Sequence, residues 1–183
     1  MRKIILIFFS FLLFFSIFPS RASAQLPSEE KATESSQTVG YDLPYPGILP
    51  DNPLHFLKAI RDRIVGVLIS DPLKKAEFNL LTSDKRISSA MMLAAKGKDK
   101  LGIETLSKSN NYFHQAIGSA NEAKKMGKRI DMVLHNLELS SKKHKELVKG
   151  MEEKVSREFL SQLQSEEKRL SEFEKSVIQL RTK

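Results

Sequence analysis

The chain has 183 residues, no cysteine, no tryptophan and a formal net charge of +8. Without cysteine it can form neither a disulfide framework nor a thiolate metal site, so its stability must come from packing. The length is enough for one domain with a hydrophobic core.

Residues 1–24 have the pattern of an export signal peptide. Two basic residues precede an apolar run over residues 4–18, and Ala22-Ser23-Ala24 fits a small-x-small cleavage site. The run is shorter than the roughly 20 residues that a membrane-spanning helix needs. We therefore predict an exported protein that is secreted, periplasmic or at the cell surface after cleavage near Ala24. The alternative is an uncleaved segment that tethers the protein.

An extended region is predicted to follow the signal. Residues 25–40 are polar and are expected to form a disordered tether. Residues 41–52 contain three prolines, each of which favours extended backbone before it, and Pro46-Gly47 suits a type II turn. Because this strap is too apolar for a free linker, we expect it to dock between helices. Its apolar side chains are Tyr41, Leu43, Tyr45, Ile48 and Leu49.

From residue 53 onward, apolar residues recur at helical spacing and no strand pattern competes. Asn52-Pro53 and Asp71-Pro72 both match a helix cap followed by proline. The short connection between the first two helices predicts an antiparallel hairpin. Glycines at 97, 127 and 150 indicate ends or bends, and without a break at Gly150 the last two helices would be continuous. The predicted helices are 53–69, 72–96, 99–126, 129–149 and 151–181.

The domain over residues 41–183 is therefore predicted to be all-α. The helical hairpin should continue into a small bundle with a long C-terminal helix. Leu163 to Leu180 approaches the heptad spacing of a coiled coil.

A buried ion pair is predicted within the first hairpin. Arg61 and Asp84 each lie inside the apolar stripe of their helix, and an unpaired buried charge is expensive. The alternative is that Asp84 lies at the edge of its stripe and bonds water. His144 also falls on an apolar row, where it is expected to be a core-edge histidine with one hydrogen bond or a pH-responsive group.

Residues 124–149 form a basic window in which eight cations accompany three carboxylates. Such a stretch could contact lipid head groups or wall polymer. No aromatic residue lies among the cations, and export also argues against nucleic acid as a partner. The predicted contact residues are Lys124, Lys125, Lys128, Arg129, Lys142, Lys143, Lys145 and Lys149.

No pattern of catalytic or cofactor-binding residues is present in the sequence. It has no Gly-x-Ser-x-Gly, no phosphate-binding glycine loop and no His-Glu-x-x-His. We therefore predict no enzyme activity, no cofactor and no metal. The expected function is a cell-envelope binding or structural module that contacts an anionic surface or another envelope protein. The alternative is a helical chaperone or stress-sensing protein with an apolar groove.

Three short motifs resemble those of a bacterial family, domain of unknown function 5667. The run from Leu43 to Asp62 resembles its opening, where a Pro-Gly turn and an Asp-x-Pro-Leu cap introduce the first helix. Asp84-Lys85-Arg86-Ile87 resembles its second-helix signature, and Lys143-His144 resembles a later pair. The resemblance covers roughly residues 41–150. It implies an extracytoplasmic helical domain without assigned catalytic residues.

Overall fold

The computed structural model describes residues 39–182, and within this range it contains helices and no strand. The all-α prediction is therefore confirmed, whereas the predicted signal peptide and most of the tether lie outside the described residues. A 3₁₀ turn at Arg157–Phe159 leads into the last helix. The α-helices of the described region are α1 His55–Leu68, α2 Pro72–Ala95, α3 Asp99–Lys125, α4 Asp131–Glu152 and α5 Leu160–Thr182.

The predicted signals mark three of the helix boundaries, at the start of α2 and at the ends of α2 and α3. The Asp71 carboxylate accepts hydrogen bonds from the backbone N–H groups of Leu73 and Lys74, at 2.8 and 3.2 Å, where α2 begins. Gly97 and Gly127 follow α2 and α3 with φ values of +68° and +75°, which favour glycine. The side chain of Asn52 accepts a bond from the N–H of Leu54, yet the regular helix begins only at His55.

The break between the last two helices does not lie at Gly150. Helix α4 passes through this glycine and ends at Glu152, since glycine costs a helix only about 1 kcal/mol relative to alanine. Met151 is fully buried and holds the last turn in the core. The chain then turns where the Asp99 carboxylate accepts bonds from the backbone N–H and the hydroxyl of Ser156, at 2.9 and 2.6 Å.

Two helical hairpins lie side by side in the same direction. Helices α2 and α3 form the first hairpin, and α4 and α5 form the second. Asn110 and Lys124 of α3 donate to Glu166 and to the carbonyl of Leu180 in α5, each 56 residues further on. The start of α2 bonds Lys128 through Asp71, 57 residues further on, and Asp84 bonds Ser140 of α4, 56 residues further on. Because the separation stays nearly constant along each pair, α4 runs parallel to α2 and α5 runs parallel to α3.

The core lies between the two hairpins. Helices α2 and α3 approach each other closely at Gly102, where an added Cβ would lie 3.3 Å from the carbonyl oxygen of Ala90. The two aromatic rings of Phe113 and Phe173 stack inside, with centroids 5.5 Å apart. Large side chains from all four bundle helices are fully buried, including Ile87, Leu93, Leu106, Phe113, Leu137, Leu163 and Leu170.

A buried polar cluster joins the strap, α2 and α4, and we call it the Asp84 cluster. Its members are Tyr41, Asp84, Ser140 and His144. Asp84 is only 2% exposed, and one carboxylate oxygen accepts bonds from the Ser140 hydroxyl at 2.6 Å and from His144 Nε2 at 2.8 Å. The other oxygen accepts a bond from the Tyr41 hydroxyl at 2.7 Å. Three donors thus compensate the burial of one carboxylate.

The predicted ion pair between Arg61 and Asp84 is wrong in its partner, although Asp84 is buried as expected. The Arg61 guanidinium bonds the neighbouring Asp62 at 2.7 Å, and its side chain is 67% exposed. The prediction assumed that the apolar stripe of α1 faces α2. In the structure the opposite face of α1 contacts α2, so His144 takes the place that was assigned to arginine.

The strap is docked, although not by all the predicted side chains. Pro46 is buried and Leu43 packs against the core, whereas Tyr45 and Ile48 are exposed. Gly47 has a φ of +70°, as its place in a turn requires. A polar contact also ties the strap to the bundle, since the Tyr41 hydroxyl donates a hydrogen bond to Asp84.

Replacing the central carboxylate should cost much of the stability of the bundle. We expect Asp84→Ala to lower the free energy of unfolding by about 3 to 5 kcal/mol, because it leaves the buried donors of Tyr41, Ser140 and His144 without their acceptor. Arg61→Met should change it by less than about 0.5 kcal/mol, as is usual for exposed sites. Urea unfolding of both variants measures this, and equal losses would restore Arg61 as the partner.

The Tyr41 contact should be sensitive to alkaline pH. Burial first, and then the negative charge of Asp84, raise the pKa of the Tyr41 hydroxyl well above its ordinary range. The stabilisation should be complete below about pH 10, where an unfolded tyrosine keeps its proton, and should be lost as the pH rises further. Tyr41→Phe should therefore cost about 1.5 kcal/mol at pH 8 and less above pH 10.

Tyr45→Phe is the matched control, since Tyr45 is 76% exposed in the same strap. Its free energy of unfolding should equal that of the wild type at both pH values. A Tyr41→Phe deficit that stays constant from pH 8 to pH 11 would contradict the pH argument.

Candidate functional site

Helix α1 turns its large apolar side chains away from the protein. Six of them are between 51% and 76% exposed, and none of the residues of α1 is buried. At 100° per residue these six fall within an arc of about 120°. They form what we call the outer stripe of α1, which consists of Phe56, Leu57, Ile60, Ile64, Val67 and Leu68.

The opposite face of α1 contacts α2 through polar and small residues. His55, Lys58, Asp62 and Gly66 are half-buried there. A Cβ added to Gly66 would lie 3.2 Å from the ring of Phe78 in α2, so this face of the helix is held close. The helix is therefore amphipathic in the reverse sense to a core helix, because its apolar side faces solvent.

The strap fixes α1 in this orientation. The Lys58 ammonium group donates a hydrogen bond to the carbonyl of Pro46 in the strap. At the other end of the strap, the Asp51 carboxylate accepts bonds from Lys98 and Lys96, at 2.9 and 3.1 Å. These two bonds lower the pKa of Asp51, Lys98 having the larger effect. The start of α1 is thus bound to the loop that joins α2 and α3.

Two arginines border the outer stripe. Arg61 lies at one edge and Arg63 at the other, and both side chains are exposed. An apolar stripe between cations is typical of a helix that lies in the plane of a lipid surface, with its arginines reaching up to the head groups.

A cavity of about 160 Å³ lies behind α1, between its inner face and α2. Four permanent cations and one carboxylate line it, a net of three positive charges if His55 is neutral. Burial, and then the charges of Lys58 and Arg86, lower the pKa of His55 and favour the neutral ring. The charged lining residues are Lys58, Arg61, Asp62, Lys85 and Arg86.

The predicted basic window uses much of its charge inside the fold. Lys145 pairs with Glu174 of α5 at 2.8 Å, and the ammonium group of Lys124 donates to the carbonyl of Leu180 at 2.7 Å. Lys142 and Lys143 pair with acids of their own helix. Within the described region, three of the eight cations make no ion pair and no hydrogen bond of this kind, namely Lys125, Arg129 and Lys149.

Lys128 also serves the fold. Its ammonium group bonds the carboxylate of Asp71, the residue that caps α2, and this contact is the first cause of the lowered pKa of Asp71. Five of the eight cations of the window therefore bond other groups of the fold, and two of these bonds, from Lys124 and Lys128, join the two hairpins.

Residues 39–182 contain no group of three or more histidine, aspartate or glutamate side chains placed to hold a metal ion. In the same range, no helix combines the length and apolarity needed to cross a membrane.

Sequence reasoning located the outer stripe but assigned it to the core. One signal on the face opposite the stripe could have revealed its direction. Gly66 on that face permits close approach to α2, which a larger residue would prevent.

The sequence and the structure were compared with known protein families, curated proteins and solved structures. The search of curated proteins and that of solved structures each found no match. The family described as domain of unknown function, DUF5667, matches residues 47–179. This range includes α1 and its cavity and extends beyond residue 150, where the resemblance was expected to end. Because the match covers well over half of the chain, the protein belongs to the DUF5667 family.

Proposed function

We propose that the protein is a non-enzymatic binding module of the cell envelope and that α1 attaches it to an anionic lipid surface. The observation that carries this proposal is the outer stripe, whose six large apolar side chains are all more than half exposed. Contiguous exposed apolar surface of this kind marks interaction sites in soluble domains.

The composition of α1 fits lipid better than a second copy of the chain. In an antiparallel pair of α1 helices each edge meets its own copy, so Arg61 would face Arg61 and Arg63 would face Arg63. Like charges in such positions oppose association. Anionic head groups instead attract Arg63, which makes no ion pair with a described residue, and a cation near such a surface contributes about 1 kcal/mol.

The shape of the site also favours a surface over a captured peptide. A chaperone, which is the alternative function, would need a concave apolar groove. The outer stripe is one face of a single helix, so it presents a convex ridge about 21 Å long for 14 residues. A ridge of this kind can enter the boundary between head groups and acyl chains.

The predicted export signal is consistent with this placement. An exported chain would meet the outer face of the cytoplasmic membrane or another envelope surface. The strap precedes α1 directly in the chain.

Polar substitutions in the centre of the stripe should weaken vesicle binding. Ile60 and Ile64 are 51% and 55% exposed, so Ile60→Asn with Ile64→Asn leaves the core intact. Each loses about 1 kcal/mol of apolar burial in lipid, so partitioning onto phosphatidylglycerol vesicles should fall about 30-fold. Sedimentation of the protein with vesicles measures this.

Met132→Asn with Ile178→Asn is the matched control, because these side chains are 75% and 53% exposed on α4 and α5. Its binding should equal that of the wild type. Equal binding by the α1 variant would overturn the proposal. If the wild type does not bind vesicles but uses the same stripe to suppress the aggregation of an unfolded protein, the chaperone function would replace the proposed lipid attachment.

A further inference from the structure

We propose that the cavity between α1 and α2 is a binding site for a phosphate group, held by Arg86, Lys85 and Lys58. The site itself is independent of membrane attachment. The narrower statement that the phosphate belongs to a lipid head group rests on the function proposed above.

The charge of the cavity calls for an anion. The four cations that line it have one carboxylate among them, Asp62, and this acid already accepts two hydrogen bonds from Arg61. Within the described residues, neither Lys85 nor Arg86 has an acidic partner. A phosphate monoester carries close to two negative charges at neutral pH and matches this excess better than a single carboxylate does.

Arg86 is held in place for such a ligand. Its guanidinium carbon lies 4.8 Å from the centre of the Tyr112 ring, a cation–π contact that stabilises the position of the side chain. Its Nε is buried and makes no hydrogen bond to any described residue. Buried donors normally have partners, and the guanidinium edge matches two phosphate oxygens.

Two lysines complete the arrangement from opposite walls. Lys85 comes from α2, one residue before Arg86, and Lys58 comes from α1. The pKa of Lys58 is lowered, first by burial and also by the positive charges of Arg86 and Lys85. The nearby carboxylate of Asp62 acts in the opposite direction. A bound anion would relieve this repulsion between the two walls.

The cavity is accessible and has the size of a small anion. Its volume of about 160 Å³ admits a phosphate group with ordered water. A second, more open depression of about 490 Å³ lies beside it and shares Pro50, His55 and Arg86. Lys108 adds a further cation to that opening. A head group beside the polar flank of α1 could thus reach Arg86 while the outer stripe remains in lipid.

The first test is made without a membrane. Inorganic phosphate and glycerol 3-phosphate are titrated into the protein at constant ionic strength in chloride, and binding is followed by calorimetry. We expect saturable binding of both at one site, weakened at least tenfold by Lys85→Met with Arg86→Met. Lys125→Met with Lys149→Met is the matched control and should bind as the wild type does.

The single variant Lys85→Met controls for misfolding of the double variant. The half-buried Lys85 side chain makes no hydrogen bond or ion pair with a described residue, so its loss should leave the fold intact. It should weaken binding with an unchanged melting temperature in chloride. No saturable binding by the wild type, or equal affinity in the cavity variants, would overturn the proposal.

A second arm identifies the source of the phosphate. Saturating glycerol 3-phosphate should reduce wild-type partitioning onto vesicles that contain phosphatidic acid, whose head group is a phosphate monoester, at constant ionic strength, and Lys85→Met should do the same. Unchanged partitioning would overturn the head-group assignment and leave a site for soluble phosphate. Loss of vesicle binding in the α1 stripe variant bears on the proposed function alone, because that variant retains the cavity.

Discussion

The buried carboxylate of Asp84 is the constraint on which the arrangement of the other parts depends. A carboxylate that is 2% exposed is costly unless its oxygens are bonded, and here the donors come from three separate places in the chain. The hydroxyl of Tyr41 brings the strap, while Ser140 and His144 bring α4. One side chain of α2 therefore sets both the register of the second hairpin and the position at which the strap crosses the bundle.

The position of the strap in turn decides how α1 is presented. Between Tyr41 and His55 the chain makes a turn at Gly47 and is tied down again at Asp51, so α1 can begin only beside α2 and α3. Gly66 and the polar residues of the inner face are then the ones that fit against α2. The exposed outer stripe and the cationic cavity follow from this single orientation. A surface with exposed leucine and isoleucine reduces solubility, so its presence in a well-packed domain indicates a function.

The sequence predicted those parts of the fold that depend on local rules. Caps at Asp71 and glycines after α2 and α3 placed the helix ends, and helical spacing placed Asp84 on a buried face. It could not show which helix Asp84 meets, because a helical pattern gives the direction of a side chain but not the neighbour found there. The parallel stacking of the two hairpins, with contacts 56 residues apart, has no local signal. For α1 the period was correct, but Arg61 lies at the edge of the stripe instead of inside it. The direction of the stripe was also wrong, since inward and outward stripes have the same period.

The positions of charged residues in the sequence also do not show which of them are paired within the fold. The basic window is conspicuous in the sequence. In the structure, however, Lys145 forms an ion pair with Glu174, and Lys128 bonds Asp71, the residue that caps α2. Arg86 is noted in the sequence only as part of the motif Asp84-Lys85-Arg86-Ile87 and not for its charge, yet its Nε is left without a partner among the described residues, at a cavity that carries a net positive charge. A count of lysines and arginines therefore does not locate an anion site. The features that mark a candidate site are a cation without a carboxylate partner, neighbours that hold it in place, and an adjacent apolar surface.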